Sequence, residues 1–186
     1  MDEDKDTAIQ NANEALNGFG ARFEAAYVEG LRRKLGLFHA QSGDLSLAQG
    51  LLDCMAQNGA DFTLTFRRLC DAAASSDGDA GLRSLFNDPA AYDGWAEQWR
   101  RRLADDGSVT VEDRMSVMRA ASPAVIPRNH RVEEAISAGV NDSDFAPFEA
   151  LLAVLARPYD DLASTYARYA DPPRPEQVVR QTFCGT

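Results

Sequence analysis

The sequence lacks the features that mark membrane, secreted and nucleic-acid-binding proteins. No apolar run approaches the ~18 residues of a membrane helix, and the acidic opening, MDEDKD, has the wrong sign for a secretory signal. Only three of the 186 residues are cysteines, an odd number that argues against a secreted disulfide scaffold. The formal net charge of −10 disfavours binding to nucleic-acid phosphates. We therefore expect a cytoplasmic protein with neither a membrane nor a nucleic acid as its partner.

Motifs that carry phosphate, nucleophilic or dithiol chemistry are also missing. There is no Walker sequence, no G-x-G-x-x-G, no G-x-S-x-G elbow and no C-x-x-C pair. Histidine occurs only twice, as His39 and His130. We therefore predict no catalytic, cofactor-binding or metal-binding residue in this chain.

What the sequence does contain is helical periodicity. From Asp6 to Leu35 apolar side chains recur every three or four residues, which is the spacing of one buried helical stripe, and Gly36 can end this helix. No alternating strand pattern occurs anywhere. We predict a compact all-α domain of seven or eight helices. The stripe predicted to be buried in the first helix comprises Ala8, Ala12, Ala15, Leu16, Phe19, Phe23, Ala26, Tyr27, Leu31 and Leu35.

Capping residues and prolines divide the rest of the chain. An extended segment is expected between Pro123 and Pro127, because proline lacks an N–H donor and restricts its predecessor. Three prolines within residues 172–175 predict an extended tail. The predicted division is a helical domain over residues 1–170 and a proline-rich C-terminal tail over residues 171–186. Helix caps are predicted at Asp44, Asp61, Asp88, Thr110, Asn129 and either Ser143 or Asp144.

One cluster of polar residues, Arg128, Asn129, His130 and Glu133, has several possible roles. His130 and Glu133 have the H-x-x-E spacing that places both side chains on one helical face. A carboxylate-bridged di-metal site would need a second such pair and further glutamates, which the sequence does not supply. Two other interpretations stay open. The cluster either satisfies a helix start and neighbouring carbonyls, or it contacts a partner.

The basic run and the cysteines each have a structural and a functional interpretation. Residues 97–102 are interpreted as a solvated helix face, with an interdomain ion-pair patch as the alternative. Cys54 and Cys70 fall on apolar helix faces and are predicted to be core residues. Cys184 lies third from the end of the sequence, where a thiol on an undocked tail is available for chemistry. The alternative is an incidental exposed thiol.

Several segments distributed from Ala12 to Thr186 have the pattern of one known family. The two most specific are I-P-R-N-H-R-V-E-E-A at residues 126–135 and the ending T-F-C-G-T at residues 182–186. Together with their companions they resemble the C-terminal part of the selenoprotein O (SelO) family. The companion segments are R-K-L-G-L at residues 33–37, residues 59–69, and R-P-Y at residues 157–159.

This resemblance implies a function that belongs to a longer parent protein. SelO family members have a protein-kinase-like fold and are protein adenylyltransferases, which move AMP from ATP to protein hydroxyls with a divalent metal. Their ATP-binding and metal-binding motifs match no residue here. The chain is then the C-terminal helical part of such a fold and is inactive alone, since ATP and Mg belong to the full-length parent. Its expected role is to buttress the upstream kinase-like region, its partner, while protein substrates bind to the parent.

The same resemblance implies a role for Cys184. The family carries selenocysteine or cysteine at the equivalent place, where it is linked to a redox switch with a cysteine of the kinase-like region. Cys184 is therefore the expected redox residue, unpaired in this chain. The competing hypothesis is a free-standing helical interaction module without an enzymatic parent.

Overall fold

The computed structural model of the chain describes residues 2–181. Over this range it contains eight α-helices, three short 3₁₀ turns and no β-strand, which confirms the predicted all-α fold class. None of the helices in this range is both long and apolar enough to cross a membrane. The 3₁₀ turns span Ser76–Gly78, Ser164–Tyr169 and Pro175–Gln177. The helices are α1 (Asp2–Leu35), α2 (Asp44–Asn58), α3 (Phe62–Ala72), α4 (Asp79–Arg83), α5 (Pro89–Ala104), α6 (Val111–Ala121), α7 (Asn129–Asp142) and α8 (Ala146–Leu155).

Three helices begin at the caps that the sequence predicts. The side chains of Asp61, Asp88 and Thr110 accept hydrogen bonds from first-turn backbone N–H groups at 2.8, 3.0 and 3.1 Å. These bonds satisfy donors that have no partner within the helix. Gly36 follows α1 with φ of +72°, a left-handed conformation that glycine adopts at little cost, so its predicted role is confirmed.

Two of the other predicted caps are wrong, and of the two alternatives for α8 only one makes a cap-like bond. Asp44 and Asn129 are each the first helical residue of their helix, and neither Gly43 nor Arg128 at the preceding cap position makes a side-chain cap bond. Ser143 ends α7 with φ of +53° and does not start α8. Asp144 does accept a hydrogen bond from Ala146 N at 3.0 Å, at the start of α8.

The helices surround two hydrophobic cores of unequal size. The larger core joins the last turn of α1 to α2, α3, α4, α5 and α6, and Trp99 at its centre is fully buried. The smaller core lies between α7, α8 and the turn Ser164–Tyr169. Its buried side chains are Val125, Leu151, Val154 and Tyr169.

The predicted burial of α1 is wrong for most of the helix. Leu31 and Leu35 are 6% and 0% exposed and belong to the larger core. Leu16 and Phe19, by contrast, are 71% and 65% exposed, and the apolar side chains of Ile9, Phe23 and Tyr27 are exposed as well. The stripe has the spacing of a buried face, but the described part of the chain provides no element that covers it.

The basic run is also less solvated than predicted. Arg101 is exposed, but Arg100 bonds Asp79 at 2.8 Å, and Arg102 donates to both Asp44 and Asp106, at 2.8 and 3.1 Å. Asp44 and Asp106 are both buried, and the Arg102 side chain that bonds them is only 11% exposed. The ion pairs lie within one helical body, and the interpretation as a solvated face holds only for part of the run.

The described part of the proline-rich segment, residues 171–181, contains one 3₁₀ turn and no α-helix. Arg174, Gln177 and Val179 line a cavity of about 350 Å³ together with residues of the first turns of α7. The segment therefore lies against α7 as far as Val179. The predicted division at residue 170 stays a prediction.

Candidate functional site at the start of helix α7

The segment before α7 is anchored to a neighbouring loop. The backbone N–H groups of Ala124 and Val125 both donate to the carbonyl oxygen of Pro158, at 2.7 and 3.3 Å. Val125 is buried in the smaller core, and Pro127 leads directly into the helix. Pro123 and Pro127 exclude a helix here, so the segment between them is extended. Its backbone donors at Ala124 and Val125 bond to the loop that follows α8 instead.

Arg128 joins the start of α7 to the start of α3. Its guanidinium donates two hydrogen bonds to the Asp61 carboxylate, Nη1 to Oδ2 at 2.8 Å and Nη2 to Oδ1 at 3.0 Å. Asp61 also caps α3 through Leu64 N, so one carboxylate serves two helices. Burial by itself raises the pKa of Asp61, but the bonds from Arg128 and Leu64 outweigh it and the pKa is lowered overall. Arg128 is buried, and its pair with Asp61 has the bidentate geometry of a strong, charge-assisted contact.

His130 lies beside this ion pair, and its side chain is buried. Its Nε2 atom has no hydrogen-bond partner within residues 2–181. Burial lowers the pKa of His130, and the nearby Arg131 and Arg128 cations lower it further. A cavity of about 270 Å³ borders His130, and Pro173 and Val178 of the proline-rich segment line it as well. A neutral imidazole therefore faces the segment that leads toward Cys184.

The next turn of α7 forms a second charged contact with the end of the helical domain. Arg131 Nη1 donates to Glu134 at 2.8 Å, and Arg131 Nη2 donates to the carbonyl oxygen of Arg168 at 2.9 Å. The Arg131 guanidinium also lies 5.9 Å from the ring centre of Tyr169, in cation–π range. These contacts hold the turn Ser164–Tyr169 against α7.

The four site residues predicted from the sequence do not act as one cluster. Arg128 and His130 are buried, whereas Asn129 and Glu133 are exposed. His130 and Glu133 therefore do not form a shared inward-facing pair. Over residues 2–181, no group of three or more His, Cys, Asp or Glu side chains is placed to hold a metal ion. The arrangement links helices and leaves two polar side chains for a partner.

Two of the three cysteines lie within the described residues. Cys70 is fully buried, and burial raises the pKa of its thiol to about 11. Cys54 is half-buried, and burial raises its pKa as well. Both thiols are protonated at neutral pH, which makes them poor nucleophiles. Cys184, the predicted redox residue, lies outside the described residues.

Sequence reasoning missed an apolar groove between α7 and α8. The groove has a volume of about 650 Å³, and Ile136, Phe145 and Phe148 are exposed along it. The helical spacing of Phe148 predicts a buried side chain, but the described chain leaves it half uncovered. A signal was present in α7, where Val132, Ile136 and Val140 recur every four residues.

Comparison with known proteins identifies the family. The family model described as protein adenylyltransferase SelO matches residues 7–156. A protein nucleotidyltransferase YdiU of Bradyrhizobium sp. (strain BTAi1) is 56% identical over 184 residues, which cover 99% of this chain and 37% of that protein. The YdiU proteins of Methylorubrum extorquens (strain PA1) and Rhizobium etli are 54% and 47% identical and match all of this chain.

These relatives are much longer than the chain. It spans 38% of the Methylorubrum protein and 37% of the Rhizobium protein. Because the family model matches most of the chain and these relatives are about half identical to it, the chain belongs to the protein adenylyltransferase SelO family.

Proposed function

We propose that this chain is the C-terminal helical part of a longer nucleotidyltransferase, which transfers AMP from ATP to hydroxyl groups of protein side chains. The observation that carries the proposal is that 99% of the chain aligns with only 37% of a protein named as a nucleotidyltransferase. In the reaction a protein hydroxyl oxygen attacks the α-phosphorus of ATP and pyrophosphate leaves. ATP and Mg bind in the remaining part of the protein, and this chain is inactive alone.

The proposed role of the chain itself is to support the upstream kinase-like region. Two features favour this role. The ion pair between Arg128 and Asp61 fixes α7 against α3. Asp106, which follows α5, pairs with Arg114 of α6 and accepts hydrogen bonds from the backbone of the loop after α1. Such a rigid body is suited to hold a second domain in place, because its own geometry does not depend on that domain. The protein substrates would then contact the complete protein.

Cys184 is the proposed redox residue of the complete protein, with a disulfide to a cysteine of the upstream region forming under oxidation. The proposal is supported by the low reactivity expected of the other two thiols, which burial keeps protonated. A cytoplasmic location belongs to the same proposal, because a reducing compartment would keep all three thiols free. A thiol reagent should modify Cys184 before Cys54 and Cys70 in the native chain. Labelling of Cys70 ahead of Cys184 would overturn the assignment.

A chimeric protein tests the proposed activity. The matching segment of the Bradyrhizobium sp. (strain BTAi1) relative is replaced by this chain, and transfer of label from α-phosphate-labelled ATP to protein is measured. The chimera and the unmodified relative should transfer label, whereas the 186-residue chain alone should not. Transfer by the chain alone would contradict its inactivity. A folded chimera that transfers no label beside an active relative would contradict the proposed role of the chain.

A free-standing interaction module is the second candidate, and the exposed apolar surfaces on α1 and along the groove favour it. Under that hypothesis the chain needs no upstream region. It would bind a separate protein with the same affinity whether or not the remainder of the relative is attached. The chimera separates the two candidates, because only the first predicts that attachment changes both activity and the accessibility of these surfaces.

A further inference from the structure

The exposed part of α1 carries an apolar seam of unusual regularity. Its positions alternate between spacings of three and four residues, so the seam repeats every seven residues, as in helices that pack side by side at a shallow angle. The large side chains on it are all exposed in the described chain. The seam residues are Ile9, Ala12, Leu16, Phe19, Phe23, Ala26 and Gly30.

The positions that flank this seam are mostly small or weakly polar. In a two-stranded coiled coil the flanking positions usually carry charged side chains that pair across the interface. Of the seven flanking positions only two, Arg22 and Glu29, are charged; residues 8, 13, 15, 20 and 27 are Ala, Asn, Ala, Gly and Tyr. The apolar face is therefore broader than one partner helix covers. A face of this width is typical of a helix in the interior of a larger domain.

Gly20 of α1 leaves room for a close neighbour that the described residues do not provide. Glycine weakens a helix interior relative to alanine, but its lack of a side chain lets a neighbouring backbone or side chain approach closely. A Cβ atom added to Gly18 or Gly20 would meet nothing within 4 Å among the described residues. Gly20 flanks the apolar seam, whereas Gly18 lies on the opposite side of the helix. No contact made by the described chain explains the glycine at position 20.

Length and charge argue for one occupant of this face. The chain covers only 37% of the Bradyrhizobium relative, and α1 is its first element, so any preceding polypeptide leaves from the exposed end of this helix. A tethered segment has a high effective concentration at such a site. A second copy is less suited to it. Residues 2–24 contain six Asp or Glu against one Lys and one Arg, so two such helices placed side by side repel each other.

We infer that the seam of α1 is an internal docking face, covered in the complete protein by the polypeptide that precedes this chain, with Gly20 at the closest approach. The inference rests on the proposed function, because it requires a longer parent protein. It adds the surface that receives the upstream region and the residue at which the contact is tightest.

Substitution of the two glycines tests this inference. Gly20→Leu and its matched control Gly18→Leu are made in the 186-residue chain and in the chimera with the Bradyrhizobium relative. In the chain alone both substitutions should raise the helix content measured by circular dichroism to a similar extent. In the chimera Gly20→Leu should lower the melting temperature by roughly 2–5 °C through overpacking, whereas Gly18→Leu should leave it unchanged or raise it. Gly20→Ala and Gly18→Ala give the same comparison with a smaller side chain if the leucine variant does not fold.

Three outcomes decide the matter. Equal effects of the Gly20 and Gly18 substitutions in a folded chimera would overturn the inference. So would a dimer of the 186-residue chain in sedimentation equilibrium that Gly20→Leu dissociates, because the occupant would then be a second copy. An inactive chimera with the predicted difference between the two glycines would contradict the proposed activity and support the docking face.

Discussion

The two ends of α1 differ in how completely the described residues cover them and bond to them. At the C-terminal end, Trp99 Nε1 donates to the carbonyl oxygen of Leu35 at 2.9 Å, and the Arg114 guanidinium donates to the carbonyl oxygen of Gly36. At the N-terminal end, Leu16 and Phe19 are exposed. The same helix therefore ends within the larger core and begins with an apolar surface that no described residue covers. This difference distinguishes the self-sufficient part of the chain from the part that depends on a longer protein.

The contacts at the C-terminal end of α1 are organised around one buried carboxylate. Asp106 accepts hydrogen bonds from the backbone N–H groups of Phe38 and His39 at 2.7 and 3.0 Å, and from Arg102 at 3.1 Å. Burial by itself raises the pKa of Asp106, but these donors outweigh it and the pKa is lowered overall. The carboxylate thus stays ionised and ties the loop after α1 to the end of α5.

The largest effect is expected from Asp106→Asn. This change removes the charge that pairs with Arg102 and with the buried Arg114, and loss of one partner from a buried ionic cluster costs about 3–5 kcal/mol. The control is Asp105→Asn, because Asp105 is the exposed neighbour. Urea unfolding should show the large loss only for Asp106. A loss below about 1 kcal/mol would mean that the packing at the C-terminal end of α1 does not depend on this carboxylate.

Leucine truncations at the two ends of α1 give the next largest difference. Leu31→Ala creates a cavity in the larger core and should cost about 3 kcal/mol, whereas Leu16→Ala should change the free energy of unfolding by less than about 0.5 kcal/mol in this chain. Both are measured by urea unfolding of the 186-residue chain. Equal costs would show that the N-terminal part of α1 is already buried in solution.

Asp61→Asn should have an intermediate effect. Asparagine keeps the helix cap but leaves the buried Arg128 without its charge partner, which should cost about 2 kcal/mol. Asp88→Asn, at an exposed cap that forms no ion pair within residues 2–181, is the matched control and should cost little. Because the pKa of Asp61 is lowered by folding, its stabilisation is present above the unfolded value of about 3.9 and is lost as the pH falls. A pH profile that is identical in the variant would contradict this assignment.

The smallest of the four effects is expected at His130. Folding lowers the pKa of His130, so below the unfolded value of about 6.5 the unfolded state binds more protons. The free energy of unfolding therefore decreases as the pH is lowered. His130→Gln should flatten this decline between pH 7 and the folded pKa. Unfolding curves at several pH values measure the slope. A steeper decline in the variant would mean that the folded state favours the charged imidazole.

The sequence predicted the helices better than their environment. Asp61, Asp88 and Thr110 were identifiable as caps because a cap depends on a few neighbouring residues. The Asn129 cap failed because the preceding Arg128 takes the cap position and directs its side chain to Asp61, 67 residues away in sequence. Ion pairs over such separations leave no local pattern.

Burial was the other limit of sequence reasoning. The stripe on α1 was correctly recognised as an apolar face, but periodicity shows only that a face needs cover and not which element supplies it. The same holds for Phe148 in the groove. For Arg102 the error was the reverse. The sequence pattern predicted a solvated side chain, but Arg102 forms ion pairs with the buried carboxylates of Asp44 and Asp106.

Amide hydrogen exchange along α1 tests the central claim most directly. In the 186-residue chain, amides of residues 9–27 should exchange rapidly, and those of residues 31–35 slowly, because only the last turns lie in the core. In the chimera with the Bradyrhizobium relative, residues 9–27 should become at least about tenfold more protected, with residues 31–35 little changed. Equal exchange of residues 9–27 in the two proteins would contradict the claim that the upstream polypeptide covers α1.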